Sequence, residues 1–177
     1  MTKCLAAPLS RQQINSTAMF VRKLDGTENE LYFDIVRFIE IKLPQLIPSF
    51  SFIIAEKSML GECHGLTYPD RNEIHIREDV YGRALEGSGR DRLTMAHELF
   101  HLLQHEKRNI SYARIKSEYD IETFRDPEWQ ANAFGGELLI PAHLIHNMTV
   151  EEIVEKCKVS YKAARYQLSK YSNLSVG

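Results

Sequence analysis

The stretch "GRDRLTMAHELFHLLQHE", residues 89–106, decides how this chain is interpreted. On a helix, residues four apart lie on one face, so His97 and His101 direct their rings to one point. Glu98 lies about 100° round the helix from His97, where it can reach a water molecule on a shared ion without ligating that ion. Apolar residues at helical spacing predict a buried face on the same helix: Leu93, Ala96, Phe100 and Leu103. His-Glu-x-x-His on such a helix predicts a hydrolytic zinc site with a glutamate base.

A catalytic zinc site needs a third protein ligand and an open position. The pattern with a third histidine ten residues after the first is excluded, because that position is Lys107. His105 is about 12 Å from His97 along the helix axis, which is too far for both to bind one ion. A glutamate on a following helix is the other common solution, and "DPEWQANAFGGELLIP", residues 126–141, offers Glu128. We therefore predict Glu128 as the third metal ligand.

The face of this second helix supports the assignment. Glu128, Ala131 and Asn132 share a face, and the small Ala131 permits close approach to the metal helix. Asn132 is predicted to accept from the free N–H of a ligating histidine and so fix its tautomer. Glu137 is about 180° round the helix from Glu128 and is predicted to point away. The alternative for Glu128, a first-turn glutamate favoured by the helix dipole, is outweighed by the upstream histidines.

Length and composition describe one ordinary globular domain. The chain has 177 residues, of which 44% are hydrophobic and 26% charged, with a net charge of −2. That charge favours neither nucleic acid nor an anionic membrane as a partner, and no apolar run is long enough to span a bilayer. The three cysteines, Cys4, Cys63 and Cys157, are odd in number and widely spaced. They predict no disulfide framework and therefore a reducing cytoplasm.

The remaining patterns predict an α+β fold, in which a small antiparallel or mixed sheet packs on the zinc-binding helix and the glutamate helix. A helix is predicted from about Ser10 to Leu24, and a second in "ENELYFDIVRFIEIKL" that Pro44 ends. "SFSFIIAE" predicts a strand, and "EIHIRE" predicts a half-exposed strand at a sheet edge. "TYPDRN" predicts a turn and "LEGSGR" a loop, and the Ser88 and Asp91 capping-box spacing predicts the start of the metal helix. We divide the chain into an N-terminal helical segment (1–27), a zinc metallopeptidase domain (28–145) and a C-terminal helical hairpin (146–177).

The C-terminal hairpin, "TVEEIVEKCKVSYKAARYQL", has the outline of a helix-turn-helix. Its basic face is weak and its turn lacks the usual glycine, so we do not predict direct binding to nucleic acid. A packing or partner-binding hairpin is the favoured interpretation.

A strand, a Cys-His pair and several tyrosines and histidines are further candidates for a functional role. "EIHIRE" is either an edge to which an extended substrate adds as a strand, or an ordinary amphipathic strand. Cys63-His64 offers a ligand for the open zinc position, although a plain loop is the simpler interpretation. Two tyrosines between the motif helices are candidate oxyanion donors, and three histidines are predicted at the surface or as caps: Tyr112 and Tyr119, and His75, His143 and His146.

Two long segments carry a resemblance to a known family. "IREDVYGRALEGSGRDRLTMAHELFHLLQH", residues 76–105, followed by "EWQANAFGGELLIP", residues 128–141, resembles the ImmA/IrrE family of metallopeptidases. By position, the resemblance implies His97, His101 and Glu128 as metal ligands and Glu98 as the general base. Family members usually have glycine at position 100, where this chain has Phe100, and often two alanines where it has Gly135-Gly136. Either Phe100 and the glycines compensate in packing, or Phe100 narrows the cleft.

The resemblance also implies a function. It describes cytoplasmic bacterial or phage enzymes that cut a helix-turn-helix repressor, some of them paired with it as toxin and antitoxin. We therefore expect a zinc-dependent endopeptidase with such a repressor or antitoxin as its partner, one ion per chain, and manganese as a possible substitute. The alternative is a zinc-containing toxin or regulatory protein that acts on its repressor by binding alone. The effect of Glu98→Gln on activity discriminates the two.

Overall fold

The computed structural model describes residues 2–104, 110–114 and 123–171, and their architecture is the predicted α+β fold. Five strands and ten α-helices follow one another in the order β1, α1–α3, β2, α4, β3, β4, α5, α6, β5, α7–α10 within these residues. Their bounds are β1 Thr2–Ala6, α1 Arg11–Asp25, α2 Ile35–Arg37, α3 Leu43–Leu46, β2 Ser51–Ala55, α4 Lys57–Leu60, β3 Gly65–Tyr68, β4 Glu73–Arg77, α5 Glu78–Leu85, α6 Gly89–Gln104, β5 Ile110–Arg114, α7 Pro127–Leu139, α8 Ala142–Ile145, α9 Val150–Cys157 and α10 Tyr161–Tyr171. The division into three domains stays a prediction.

The main sheet has three strands in the order β2-β4-β3. β4 pairs in parallel with β2 and antiparallel with β3, so "EIHIRE" is the central strand and its prediction as an edge is wrong. Ile74 and Ile76 are fully buried on one face, whereas His75 on the other is half-buried. The alternation therefore reports which face of the strand meets the core, and it carries no information on the position of the strand within the sheet. β3 was missed because it is short and overlaps the predicted turn "TYPDRN".

A second, two-stranded sheet was also missed. β1 pairs antiparallel with β5, over a register that runs from Thr2 opposite Arg114 to Ala6 opposite Ile110. These strands are more than a hundred residues apart in the chain, so no local signal in either of them predicts the pairing.

The first two predicted helices have different outcomes. α1 is confirmed: Ser10 caps it in a capping box with Gln13, and Gly26 ends it in the left-handed conformation. The second helix begins later than predicted, at Ile35, and continues past Pro44 to Leu46. A π-helical segment, Phe38–Lys42, lies between α2 and α3 and shifts the hydrogen-bond register. Pro44 then falls in the first turn of α3, where its missing N–H costs no bond, so it does not end the helix.

The two motif helices pack on each other in the centre of the core. Phe100 of α6 is fully buried, and its ring lies 4.9 Å from that of Phe134 of α7. A Cβ on Gly135 would come within 2.7 Å of Leu93 Cδ1, so this glycine permits the close approach of α7 to α6. Among the described residues, no helix is both long enough and apolar enough to cross a membrane.

Candidate metal centre

α6 and α7 bring the three predicted metal ligands to one point. His97 Nε2 lies 2.9 Å from His101 Nε2, because the two rings are one helical turn apart. Asp126 caps α7 by accepting from the Glu128 N–H at 2.9 Å, and Pro127 occupies its first position. This cap places Glu128 in the first turn, with one carboxylate oxygen 3.2 Å from His97 Nε2 and the other 3.5 Å from His101 Nε2.

The donor set fits a tetrahedral divalent ion. Its three ligand atoms all lie within 4.8 Å of one another. Ligand atoms about 2.0–2.1 Å from a tetrahedral zinc ion are about 3.3–3.4 Å apart, by the geometry of a tetrahedron. The two histidine nitrogens are 2.9 Å apart, and each lies close to a different oxygen of the Glu128 carboxylate, at 3.2 and 3.5 Å, so the three side chains face one point at separations near that value. Two imidazoles and one carboxylate are also a donor set of catalytic zinc sites, in which the fourth position stays open.

Asn132 lies where the sequence predicted a supporting residue. Its Oδ1 is 3.1 Å from His97 Nδ1. An amide oxygen can only accept, so this contact requires the proton on Nδ1 and leaves the Nε2 lone pair directed at the metal position. Asn132 and Glu128 are four residues apart on α7, and the same helical face therefore supplies a ligand and the group that orients another ligand.

The electrostatics of the centre favour a carboxylate anion beside the histidines. Hydrogen bonds from His101 and His97 lower the pKa of Glu128 well below its usual range, against the opposing effect of burial. Burial is the largest influence on His97 and acts to lower its pKa, but Glu128, Glu98 and Asn132 together raise that pKa above its ordinary value. The Glu128 carboxylate beside two imidazoles is therefore the charge arrangement that a divalent cation requires of its ligands.

Glu98 is held by β3. Its side chain is nearly buried, and one carboxylate oxygen accepts a hydrogen bond of 2.7 Å from the Thr67 hydroxyl. The same hydroxyl is 3.0 Å from the backbone oxygen of Glu98. A Cβ on Gly65 would lie 2.7 Å from Glu98 Cγ, so glycine at that position is what lets β3 approach the glutamate. Thr67 and Gly65 are functional candidates that sequence analysis missed, because their relation to Glu98 depends on the packing of β3 against α6.

A cleft of about 350 Å³ opens beside the centre, and we call it the metal cleft. His97, Glu98 and Asn132 line one side of it, and Cys63 and His64 line the other. The Cys63-His64 pair therefore lies at the cleft, as a ligand for the open metal position would have to. The Cys63 thiol is exposed and forms no disulfide, and no position of the pair on a metal follows from the structure.

The departures at position 100 and at the paired glycines have separate explanations. Phe100 is absent from the lining of the metal cleft and packs in the core, so it does not narrow the cleft. The glycines do not compensate for it either. Gly135 makes room for Leu93, and a Cβ on Gly136 would meet the Gln167 side-chain oxygen at 3.1 Å.

The other predicted residues lie away from the centre. Glu137 is fully buried on the far side of α7, as expected. His75 contacts Glu73 and Tyr68 on the main sheet, while His143 and His146 are exposed. His105, Lys107 and Tyr119 lie outside the described residues, and of Tyr112 only the backbone, in β5, is described.

Comparison with protein families identifies the class of protein to which this centre belongs. The model described as Peptidase_M78, the IrrE N-terminal-like domain, matches residues 53–169, which is well over half of the chain. The chain belongs to this family of metallopeptidases, and the resemblance seen in the sequence is confirmed. Comparisons with curated proteins and with solved structures give no match.

Proposed function

We propose that this chain is a zinc-dependent endopeptidase that cleaves a helix-turn-helix repressor or antitoxin in the cytoplasm. The observation that supports it most strongly is the convergence of His97, His101 and Glu128 within 4.8 Å. Glu98, which ligates nothing in this arrangement, is held beside them by Thr67. A closed structural site would have no use for an oriented carboxylate at an open cleft.

The residues of the chain divide the work of peptide hydrolysis. His97, His101 and Glu128 would hold the zinc ion, and Asn132 would keep the His97 proton on Nδ1. When bound, zinc supplies Lewis-acid activation of a water molecule and of the scissile carbonyl. The Glu98 carboxylate takes the proton of the attacking water and returns it to the leaving amine, so one group acts as base and then as acid.

Thr67 gives Glu98 its orientation in this scheme. Its hydroxyl occupies one carboxylate oxygen, which leaves the other free to accept the proton of the water. The near burial of Glu98 keeps bulk water from competing for that oxygen. Thr67 is therefore a positioning residue in this proposal, since it touches the base and not the substrate.

The choice of zinc rests on the donor set. Imidazole nitrogens suit zinc, whereas manganese prefers oxygen ligands and a higher coordination number. Manganese binds the same kinds of ligand more weakly, and it remains a possible substitute where it is abundant.

The partner is proposed from family membership and from the free strand of the main sheet. In the order β2-β4-β3, β3 has one edge without a strand partner among the described residues, and this strand carries the contact to Glu98. An extended segment of the substrate that pairs with β3 would run past the metal centre. The sheet order therefore supports a proposal of strand addition on β3 rather than on β4, whose two edges are both occupied.

The test is incubation with the cognate helix-turn-helix repressor, to be sought first in the neighbouring reading frames, followed by mass spectrometry. Wild type with zinc should give a single cut. Glu98→Gln should bind the repressor and keep its metal but lose cleavage by about 10⁴-fold, because one residue serves both proton transfers. Glu155→Gln, the same substitution at an exposed position of α9, is the matched control and should cut the repressor like wild type.

Two outcomes would contradict the proposal. If wild type binds the repressor tightly and never cuts it, with zinc or with manganese, the chain acts by binding alone. If Glu98→Gln cuts as fast as wild type, Glu98 is not the base.

A further inference from the structure

The C-terminal hairpin, formed by α9 and α10, is anchored to the start of α6. Arg92 of α6 is buried and donates to the backbone oxygens of Cys157, the last residue of α9, and of Lys158, which begins the turn to α10. A Cβ on Gly89 would lie 2.6 Å from the backbone of Val159 and Ser160, so this turn rests directly on the start of α6. These contacts hold α10 in place opposite α7.

Between α7 and α10 lies a groove of about 1240 Å³, which we call the α10 groove. Leu93, Trp129 and Ala133 give it an apolar floor, and Tyr161 and Tyr166 of α10 form part of its far wall. This groove is more than three times the volume of the metal cleft, and its lining includes Trp and Tyr side chains, which are enriched among the residues that contribute most binding energy at protein interfaces.

The α10 groove is continuous with the metal cleft. Arg90, Leu93 and Asn132 line both. Asn132 also contacts His97 Nδ1, so a chain that leaves the groove past this residue arrives at the metal centre. A polypeptide can therefore occupy the groove and present a neighbouring bond to the site.

The charges of the groove select its occupant. Its lining contains four cations, Arg11, Arg90, Lys162 and Arg165, and no carboxylate among the described residues. Arg11 is neutralised by the buried Glu137 at 2.8 Å. Arg90, Lys162 and Arg165 are exposed, and none of them has an ion pair with another described residue. Lys162 and Arg165, with Arg90, whose charge also acts on the neighbouring Asp91, lie beside an apolar floor and are complementary to a segment with acidic and apolar side chains.

We propose that the α10 groove is an exosite that binds an acidic, amphipathic segment of the substrate protein, separate from the bond that is cut. The proposal rests on the proposed function for the identity of the occupant as substrate. Apolar side chains of the segment pack on Leu93 and Trp129, and its carboxylates pair with Arg90, Lys162 and Arg165. The apolar floor favours a polypeptide over a nucleic acid, whose phosphates would use the cations and leave the floor uncovered.

The experiment uses the full chain in the Glu98→Gln form, so that binding is measured without cleavage. A display library of random 12-residue peptides is selected on it, and the enriched peptides are labelled for fluorescence anisotropy. Enrichment of Asp and Glu beside apolar residues is expected. Arg165→Glu should weaken those peptides by about tenfold or more, because it replaces an attraction with a repulsion. Lys23→Glu makes the same charge change at an exposed position of α1 outside the groove, and it should leave the affinity of these peptides unchanged.

The outcomes separate this proposal from the peptidase itself. No enrichment, enrichment without acidic residues, or equal binding by Arg165→Glu and Lys23→Glu would overturn the exosite. A random-sequence oligonucleotide probe that binds wild type and not Arg165→Glu, with no enriched peptide, would make the groove a nucleic-acid site and also overturn it. Failure of the peptidase has a different signature, which is the absence of cleavage by an enzyme that still binds these peptides.

Discussion

Helix α7 carries two glutamates nine residues apart, and the protein surrounds them in opposite ways. Glu137 is fully buried, and its carboxylate accepts hydrogen bonds from Arg11, Asn15 and the Tyr171 hydroxyl, at 2.7 to 2.9 Å. Glu128 is 67% exposed and faces two imidazole nitrogens. A buried carboxylate held by three fixed donors fastens helices together, whereas one left open beside two nitrogens can bind an ion.

The contrast extends along the whole helix. The Glu137 end joins α1, α7 and α10, and the Tyr171 pKa is raised well above its usual range by burial and by its bond to Glu137. The Glu128 end opens onto the metal cleft, where His97, Glu98 and Asn132 are lining groups. One helix therefore serves as a structural joint at its C-terminal end and as part of the candidate active site at its N-terminal end.

The largest expected effect belongs to the buried end. Glu137→Ala should lower the free energy of unfolding by about 3–5 kcal/mol, because it leaves Arg11 without its partner and strands Asn15 and Tyr171. Urea unfolding measures the loss, and Glu137→Gln, which keeps one acceptor oxygen, should lose less. A change below about 1 kcal/mol would mean that this end is not the joint described here.

The pH dependence of stability gives a second test of the buried part of the molecule, through Cys157 of α9. Burial raises the pKa of its thiol from 9.0 to about 11. A neutral thiol favoured in the folded state gives stability that is fully present below pH 9 and is lost as the pH rises toward 11, by at most about 2.7 kcal/mol. The unfolding free energy should therefore fall more steeply between pH 9 and pH 11 for wild type than for Cys157→Ala. Parallel curves would show that the thiol ionises freely and that the hairpin is not docked on it.

At the open end, Asn132→Ala should weaken metal binding by about 10–100-fold, the usual effect of losing the group that orients a ligating histidine. Competition with a chelator measures the affinity. Asn132→Asp is the comparison variant, because it keeps the acceptor oxygen and should retain the metal. Equal affinities for wild type and Asn132→Ala would leave the contact to His97 without a role in the site.

The smallest effect is expected at Thr67. Thr67→Val keeps the shape of the side chain but removes the hydrogen bond to Glu98, and kcat should fall by about fivefold for a bond of about 1 kcal/mol. Thr67→Ser should restore most of the rate, and both variants should keep the metal. A rate that Thr67→Ser does not restore would reduce Thr67 to a packing role.

What the sequence could predict was the local part of this arrangement. The face shared by His97 and His101 follows from helical geometry, and Asp126-Pro127 fixes the start of α7, so the faces of Glu128 and Glu137 could both be assigned. Local sequence also predicted α1, from about Ser10 to Leu24, and the C-terminal hairpin with its short turn, and the structure contains both.

The remainder depends on contacts between distant segments. β4 was predicted at an edge from its alternation, whereas its neighbour β3 has little strand character of its own, and the Thr67 contact to Glu98 depends on that missed strand. Gly135 and Gly136 were related to Phe100 because all three depart from the residues usual in the family. Their actual neighbours, Leu93 and Gln167, come from two other helices.

The measurement that tests the central claim most directly is the metal content of folded protein purified without chelator. Wild type should carry about one zinc ion per chain. His97→Ala, His101→Ala and Glu128→Ala should each lose it, because three protein ligands are the minimum for such a site. Glu137→Ala, judged on the fraction that remains folded, should keep it. Retained metal in any of the first three variants, or its loss in Glu137→Ala alone, would contradict the assignment of the two ends of α7.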